Sequence, residues 1–407
     1  TQTEGNPLFL TETVRLLIQE GDITSSVKTG GGTSSWEIRI PEGIREVIGR
    51  RLDRLSDRTN EILTFAAVVG REFSLDTLRE LADDTTEGQM LDILDEALES
   101  RLIEELPHEV GRFQFAHALV QETLQAELSS ARKVRLHARI AEALENIYDL
   151  HSDEHAAELV PHFLEAEPVL GVEKLIHYSI LAGEQALALT APERAETYFE
   201  QALANTQSDK VDDQIARLSL GLGRARGHVA QFLPDYQAAF DSLRSAFEYY
   251  AATNDRELVA EIVMEPSLTR MPIEGAVQLL DSAASQMDSG SASEAAIQAR
   301  LTTALLMTGD AAAARASLER TESVVATLQD PKIHKDMLMS KFLLVYSGGS
   351  VADLTKGLEV LDSLLELLRS HPDPVMESVV AYWRMSTGLR LGKLEETLLE
   401  AEEAYEI

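Results

Sequence analysis

The sequence predicts a mainly α-helical protein in which a short lid-helix region and a winged-helix domain with a small β-hairpin precede an α-solenoid of tetratricopeptide-like helix pairs. Three observations predict it. Apolar residues recur at helical spacing over most of the chain, the period shortens to that of strands between Leu102 and Phe115, and small residues return about every forty positions after His151.

The elements follow in order. Residues 1–35 read as a lid helix and linker: Pro7 sits where a first-turn proline is tolerated, and Leu8, Leu10, Val14, Leu17 and Ile18 form an apolar stripe that Gly21 ends. The run SSVKTGGGTSS from Ser25 to Ser35 holds too much glycine and serine for a regular element. Residues 36–150 read as the winged helix. Ile44, Val47, Ile48, Leu52 and Leu55 mark one amphipathic helix, Ile62, Leu63, Ala66 and Val69 a second, and Met90, Leu91, Leu94, Ala97 and Leu98 a third. Leu102–Leu106 and Arg112–Phe115 are short enough to be strands, with Pro107 and Gly111 supplying the turn between them. Leu119, Leu124 and Leu128 then resume the helical period.

Residues 151–407 read as helices alone. Ala195, Ala239, Ala276, Ala314, Gly357 and Thr397 stand in the second helix of successive pairs, where a small side chain lets paired helices approach closely. The best single unit places Gly183 in its first helix and Ala195, Phe199 and Ala202 in its second, which resembles the small and aromatic positions of a tetratricopeptide repeat. Each pair buries its apolar face against the next, so the array offers a surface for a protein partner or a small inducer.

Composition excludes several classes. No stretch approaches the roughly 18 uninterrupted apolar residues of a membrane helix, and the start does not resemble a secretory signal, so a cytoplasmic location and no membrane partner are expected. The chain has no cysteine, which removes disulfides and thiolate zinc sites. Its 69 acidic against 36 basic residues give a formal net charge of -33, a field that repels nucleic-acid backbones and anionic lipid. Tyr249, Tyr250 and Trp383 lie on helical patterns and read as packing residues. The chain starts at Thr1 and stops at Ile407 inside a helical pattern, and both ends read as cut from something longer.

The pattern G-x-x-x-x-G-K-[ST] occurs nowhere in the sequence, and Gly30 to Gly32 are followed by Thr33 and Ser34 rather than lysine. Without the phosphate-cradling amides, the lysine and the magnesium-binding hydroxyl, phosphoryl transfer lacks its electrostatic stabilisation. The chain alone is expected to be inert as an ATPase.

Gly5-Asn6-Pro7-Leu8-Phe9-Leu10, then Ile40-Pro41-Glu42-Gly43-Ile44-Arg45-Glu46-Val47-Ile48 and Arg50-Arg51-Leu52-Asp53-Arg54-Leu55, resemble the segment that follows the nucleotide-binding core of STAND-type signal-transduction ATPases. That AAA-like family includes large LuxR-type regulators and cyclase- or kinase-linked proteins with C-terminal repeats. The resemblance continues through Val68-Val69-Gly70-Arg71-Glu72-Phe73 and Arg112-Phe113-Gln114-Phe115-Ala116-His117-Ala118-Leu119-Val120; it covers the first half closely and the rest by architecture. It implies a regulatory, protein-interacting portion of an ATP-binding protein whose core lies upstream, with ATP or ADP bound only when that core is present. Gly5 and Pro7 are similar to the family's G-x-P signature, whose proline packs near the adenine; the plain alternative is a glycine turn with a first-turn proline. His117 matches the histidine of the family's M-H-D motif, which lies near the ADP β-phosphate, although Ala116 and Ala118 replace the methionine and aspartate. Its alternative is a satisfied buried histidine at a strand–helix junction.

Two rival signals stand beside that reading. His151-Ser152-Asp153-Glu154-His155 matches H-x-x-E-H, which on an α-helix sets two imidazoles one turn apart for zinc with Glu154 as base; the family explains the segment as the entry to its repeats, with His162-Phe163-Leu164-Glu165-Ala166 nearby. Arg132, Lys133, Arg135, His137 and Arg139 form a basic run, but Val134, Leu136, Ile140 and Leu144 interleave at helical spacing, so a buried helix with a charged outer face is expected rather than a DNA contact. A nucleotide-independent repeat scaffold or adaptor is the main alternative function, and a zinc hydrolase the other.

Overall fold

Serine and threonine caps set the first helices. The structure, a computed structural model, describes residues 48–393 apart from 50, 83, 207–210, 230–235 and 270–271. The expected lid helix and linker, with Gly5 and Pro7, lie outside the described residues, as do Ile44, Val47 and Thr397. Helix α1 (Asp57–Val69) starts at Ser56, whose hydroxyl accepts from the Thr59 amide; α2 (Leu75–Leu81) starts at Ser74 in the same way; α3 (Glu87–Glu99) starts on a capping box of Thr86 and Gln89. Ile62, Leu63, Leu78, Met90, Leu94 and Ala97 from these helices are buried, and Leu91 is the exposed member of the apolar set.

Three strands interleave with them. β1 (Glu72–Ser74) joins α1 to α2, and β2 (Ile103–Glu105) and β3 (Arg112–Phe115) form the wing. The sheet order is β1-β3-β2, all antiparallel, with Phe73 opposite Phe113 and Ile103 opposite Phe115. Alternation puts Phe113 and Phe115 inward, where both meet Phe73 at centroid distances of 6.1 and 5.3 Å. Gly111 turns the wing at φ +80°, a conformation glycine adopts without strain. The hairpin read from sequence is therefore two-thirds of a sheet: β1 is three residues long, too short to show a period, and its partner lies forty residues away.

Helix α4 (Ala118–Ala126) follows β3, then α5 (Ser130–Tyr148), a 3₁₀ segment (Asp149–His155), α6 (Ala156–Leu170) and α7 (Glu173–Ala188). The order helix, strand, helix, helix, strand, strand, ending in α4, is that of a winged helix. The chain divides between Ala182 and Gly183 into two compact units.

The second unit consists of helix pairs. After α8 (Pro192–Asn205) come α9 (Asp213–Val229), α10 (Tyr236–Ala252), α11 (Arg256–Val263), a 3₁₀ turn (Pro266–Thr269), α12 (Ala276–Gln286), α13 (Ala292–Met307), α14 (Ala311–Leu328), α15 (Pro331–Gly348), α16 (Val351–Ser370) and α17 (Pro374–Arg390). Neighbours pack on one another in sequence, and one apolar core runs from α9 to α14 while a second joins α13 to α17. The small residues sit where close approach needs them: Ala195, Ala239, Ala276 and Ala314 are buried, and a Cβ on Gly357 would lie 3.3 Å from the Phe342 ring. Tyr250 is buried and Trp383 packs on Phe342 and Tyr346, as expected of packing residues. Ion pairs tie adjacent helices, among them Arg226 of α9 to Glu196 and Glu200 of α8, and Arg224 of α9 to Glu261 and Glu265 beyond it.

Candidate functional site

The C-terminal end of α1 is where the first unit's polar groups converge. The last carbonyls of an α-helix have no intrahelical partner, so side chains from other elements can reach them. Gln121 and Gln125, one turn apart on α4, both donate to the Ala67 carbonyl at 2.9 and 2.5 Å. The residue that leads β3 into α4 is His117, buried at 6% exposure and standing at the N-cap position with extended backbone. It makes no side-chain capping bond. The fold thus places His117 at the strand–helix junction expected of it, on the helix whose glutamines hold the end of α1. Its two companions in the sequence reading, Gly5 and Pro7, lie outside the described residues.

The basic run forms α5, with Leu136, Ile140 and Leu144 buried and Arg132 and Arg135 exposed. Arg139 turns back to the winged helix, donating to the Leu81 carbonyl at 2.6 Å and lying 5.4 Å from the Phe65 ring centre. One member departs from the expectation: His137, counted with the charged outer face, is buried at 8% exposure. Its Nδ1 lies 3.0 Å from Nδ1 of His162, and the rings are 5.1 Å apart at 40°. Burial lowers the proton affinity of both; His162, further opposed by His137, is pushed down to about 4.

The zinc reading is corrected by local geometry. Asp149–His155 is a 3₁₀ helix, in which residues three apart eclipse, so His151 and His155 do not share a face as they would on an α-helix. His155 instead stacks on Tyr148 at 3.8 Å and faces Glu158 at 3.8 Å. Among the described residues no three His, Asp or Glu side chains are grouped so as to hold a metal. What the segment does form is the wall of a polar cleft of about 480 Å³, with Glu145, Asp149, Asp153, Lys174 and Tyr178 around it. Tyr178 Oη donates to Glu145 at 2.8 Å, Lys174 pairs with the same carboxylate, and burial raises the Tyr178 phenol. Asp149 turns the chain at φ 46°, ψ -118°, outside the regions an L side chain favours. Asp149→Gly is therefore expected to raise stability by about 1 kcal/mol, the strain relieved exceeding the chain entropy glycine adds. Urea titration with an unchanged slope would read it as a higher midpoint.

No helix among the described residues is long and apolar enough to cross a membrane. No protein-family model matches the chain, and no curated protein matches it. Solved structures similar to it include the following two. One is a Signal Transduction ATPase with Numerous Domains (STAND) protein with a tetratricopeptide repeat sensor from Pyrococcus horikoshii, at 15% identity and a TM-score of 0.33 over 99% of this chain and 49% of that one. The other is a Rap protein complexed with competence and sporulation factor, at 13% identity and a TM-score of 0.35 over 89% of this chain and 97% of that one. The chain thus spans about half the length of the STAND protein.

Proposed function

We propose that this chain is the regulatory and protein-binding portion of a STAND-type ATP-binding signal-transduction protein. The observation that carries the reading is the order of its parts: a winged helix whose β3 passes through His117 into α4, followed by stacked helix pairs. The proposed division is a lid and linker over 1–35, a winged helix over 36–150 and a repeat arm over 151–407. A phosphate-binding core upstream would hold ATP or ADP, with Gly5, Pro7 and His117 as accessory contacts, in a cytoplasmic protein of the LuxR-type or cyclase-associated kind.

The mechanism follows from the chemistry of an imidazole beside a phosphate. An N–H of His117 donating to the nucleotide would hold the winged helix to the core, and exchange of the nucleotide would release it. Binding of a protein partner or inducer to the repeat arm would bias the same two-state element, so each ligand alters the affinity for the other. In a polypeptide carrying the core, His117→Ala is expected to weaken ADP binding at least tenfold by isothermal titration, with the melting curve of the winged helix retained. Unchanged ADP affinity would remove His117 from the mechanism. The scaffold alternative predicts that partners bind the repeat arm while no longer form of the protein binds nucleotide at all.

A further inference from the structure

We propose that His137 and His162 form an acid-sensitive latch that fastens α6 to α5 and opens when the histidine pair takes up its second proton. The inference does not depend on nucleotide binding. It rests on two buried imidazoles, 25 residues apart in sequence, whose Nδ1 atoms lie 3.0 Å from each other.

The hydrogen-bond roles follow from the partners. The two Nδ1 atoms face each other, so in the neutral pair one ring carries its proton on Nδ1 and donates while the other has a bare Nδ1 and accepts. The first added proton goes to Nε2 of the donating ring and leaves the N–H···N bond intact. A second has only Nδ1 of the accepting ring to occupy, which sets two N–H groups and two positive charges face to face at 3.0 Å. The pair must then part. The charged groups facing it are Glu165 on α6, which favours the His137 cation, and Lys133 on α5, which opposes it; these two lie 3.4 Å apart.

The surrounding helix has gaps in its own hydrogen-bond ladder. Pro161 and Pro168 lie inside α6, and each removes a backbone donor from the helical ladder. Pro161 immediately precedes His162, so α6 is held at this point by its tertiary partners more than by its own turn.

The sign of the pH dependence is fixed by the direction of the shifts. Both imidazoles bind protons less well closed than open, so closure is complete above the ordinary histidine range near pH 6.5 and is lost as pH falls from there towards about 4, where His162 titrates in place. His162 alone shifts the opening equilibrium by about thirtyfold between pH 7.5 and 5.0. The rest of the molecule responds oppositely: with a net charge of -33, mild acid relieves self-repulsion, which separates local opening from general acid unfolding.

Hydrogen exchange of the full 407-residue chain at pH 7.5 and 5.0, corrected for intrinsic rates, tests the latch. Amides of α6 are expected to exchange about thirtyfold faster at pH 5.0 while α16 stays protected. In His162→Gln the amide can still pair with Nδ1 of His137 and no longer titrates, and the acceleration should fall well below the wild-type value. His137→Asn is a second arm should that variant fail to fold: its amide can flip from donor to acceptor when His162 gains a proton, so the repulsion is removed while burial still opposes the proton, and the acceleration should fall below the wild-type value without vanishing. A pH-independent α6 in the wild type, or an equal acceleration in His137→Asn, overturns the proposal. So does a zinc-induced rise in melting temperature that His162→Gln abolishes, which would make the pair metal ligands.

Discussion

Phe199→Ala is expected to destabilise the repeat arm by about 3–5 kcal/mol, the range for emptying a buried aromatic site. The ring is completely buried on α8, and its Cζ tip is the nearest atom to two glycines on different helices. A Cβ built on Gly183 of α7 would lie 2.3 Å from it, and one on Gly221 of α9 would lie 2.4 Å away. Neither distance is sterically possible, so Phe199 fills a slot made by two bare backbones. The glycines and the ring are thus one packing unit, and their effects should not add. Gly221→Ala in the wild type should cost about 1–3 kcal/mol through overpacking. In the Phe199→Ala background the same change enters a cavity, and most of that cost should vanish. Urea denaturation of the four proteins of this cycle gives the coupling directly; strict additivity would show that the ring does not fill the slot.

Phe115→Ala should have a comparable effect on the winged helix, about 3–5 kcal/mol by chemical denaturation. Phe115 is fully buried, lies opposite Ile103 across the sheet and packs on Phe73 at 5.3 Å. It ends the one strand that pairs on both sides, so its loss loosens both β1 and β2. Phe115→Leu keeps most of the apolar volume and should cost about 1–2 kcal/mol. An alanine variant no less stable than the leucine variant would mean that the ring contributes little to holding the sheet together.

Much of this was legible in the sequence where a pattern repeats. Helices α1, α3 and α4 and the wing strands stand where their periods place them, because one buried face imposes spacing on the residues that fill it, whereas α2 was not read from the sequence. Phe199, with Ala195 and Ala202, was identified from a single unit, and all three are completely buried. Gly221, the other wall of the same slot, lies 22 residues further on and belongs to no local pattern. His117 was placed at its junction by motif context, and the structure adds its burial and the two glutamines of its helix that hold Ala67.

The sequence by itself determined the helical class, the pairing rhythm of the arm and the strand-like break between Leu102 and Phe115, since each is a local periodicity that one buried face enforces. Tertiary structure alone decided three things: that β1 joins the sheet, that residues 149–155 wind as a 3₁₀ helix and separate His151 from His155, and that His137 turns inward to meet His162. Their common physical reason is range. A three-residue strand or a lone histidine carries no period of its own, and its fate is set by a partner that only folding brings within hydrogen-bond distance.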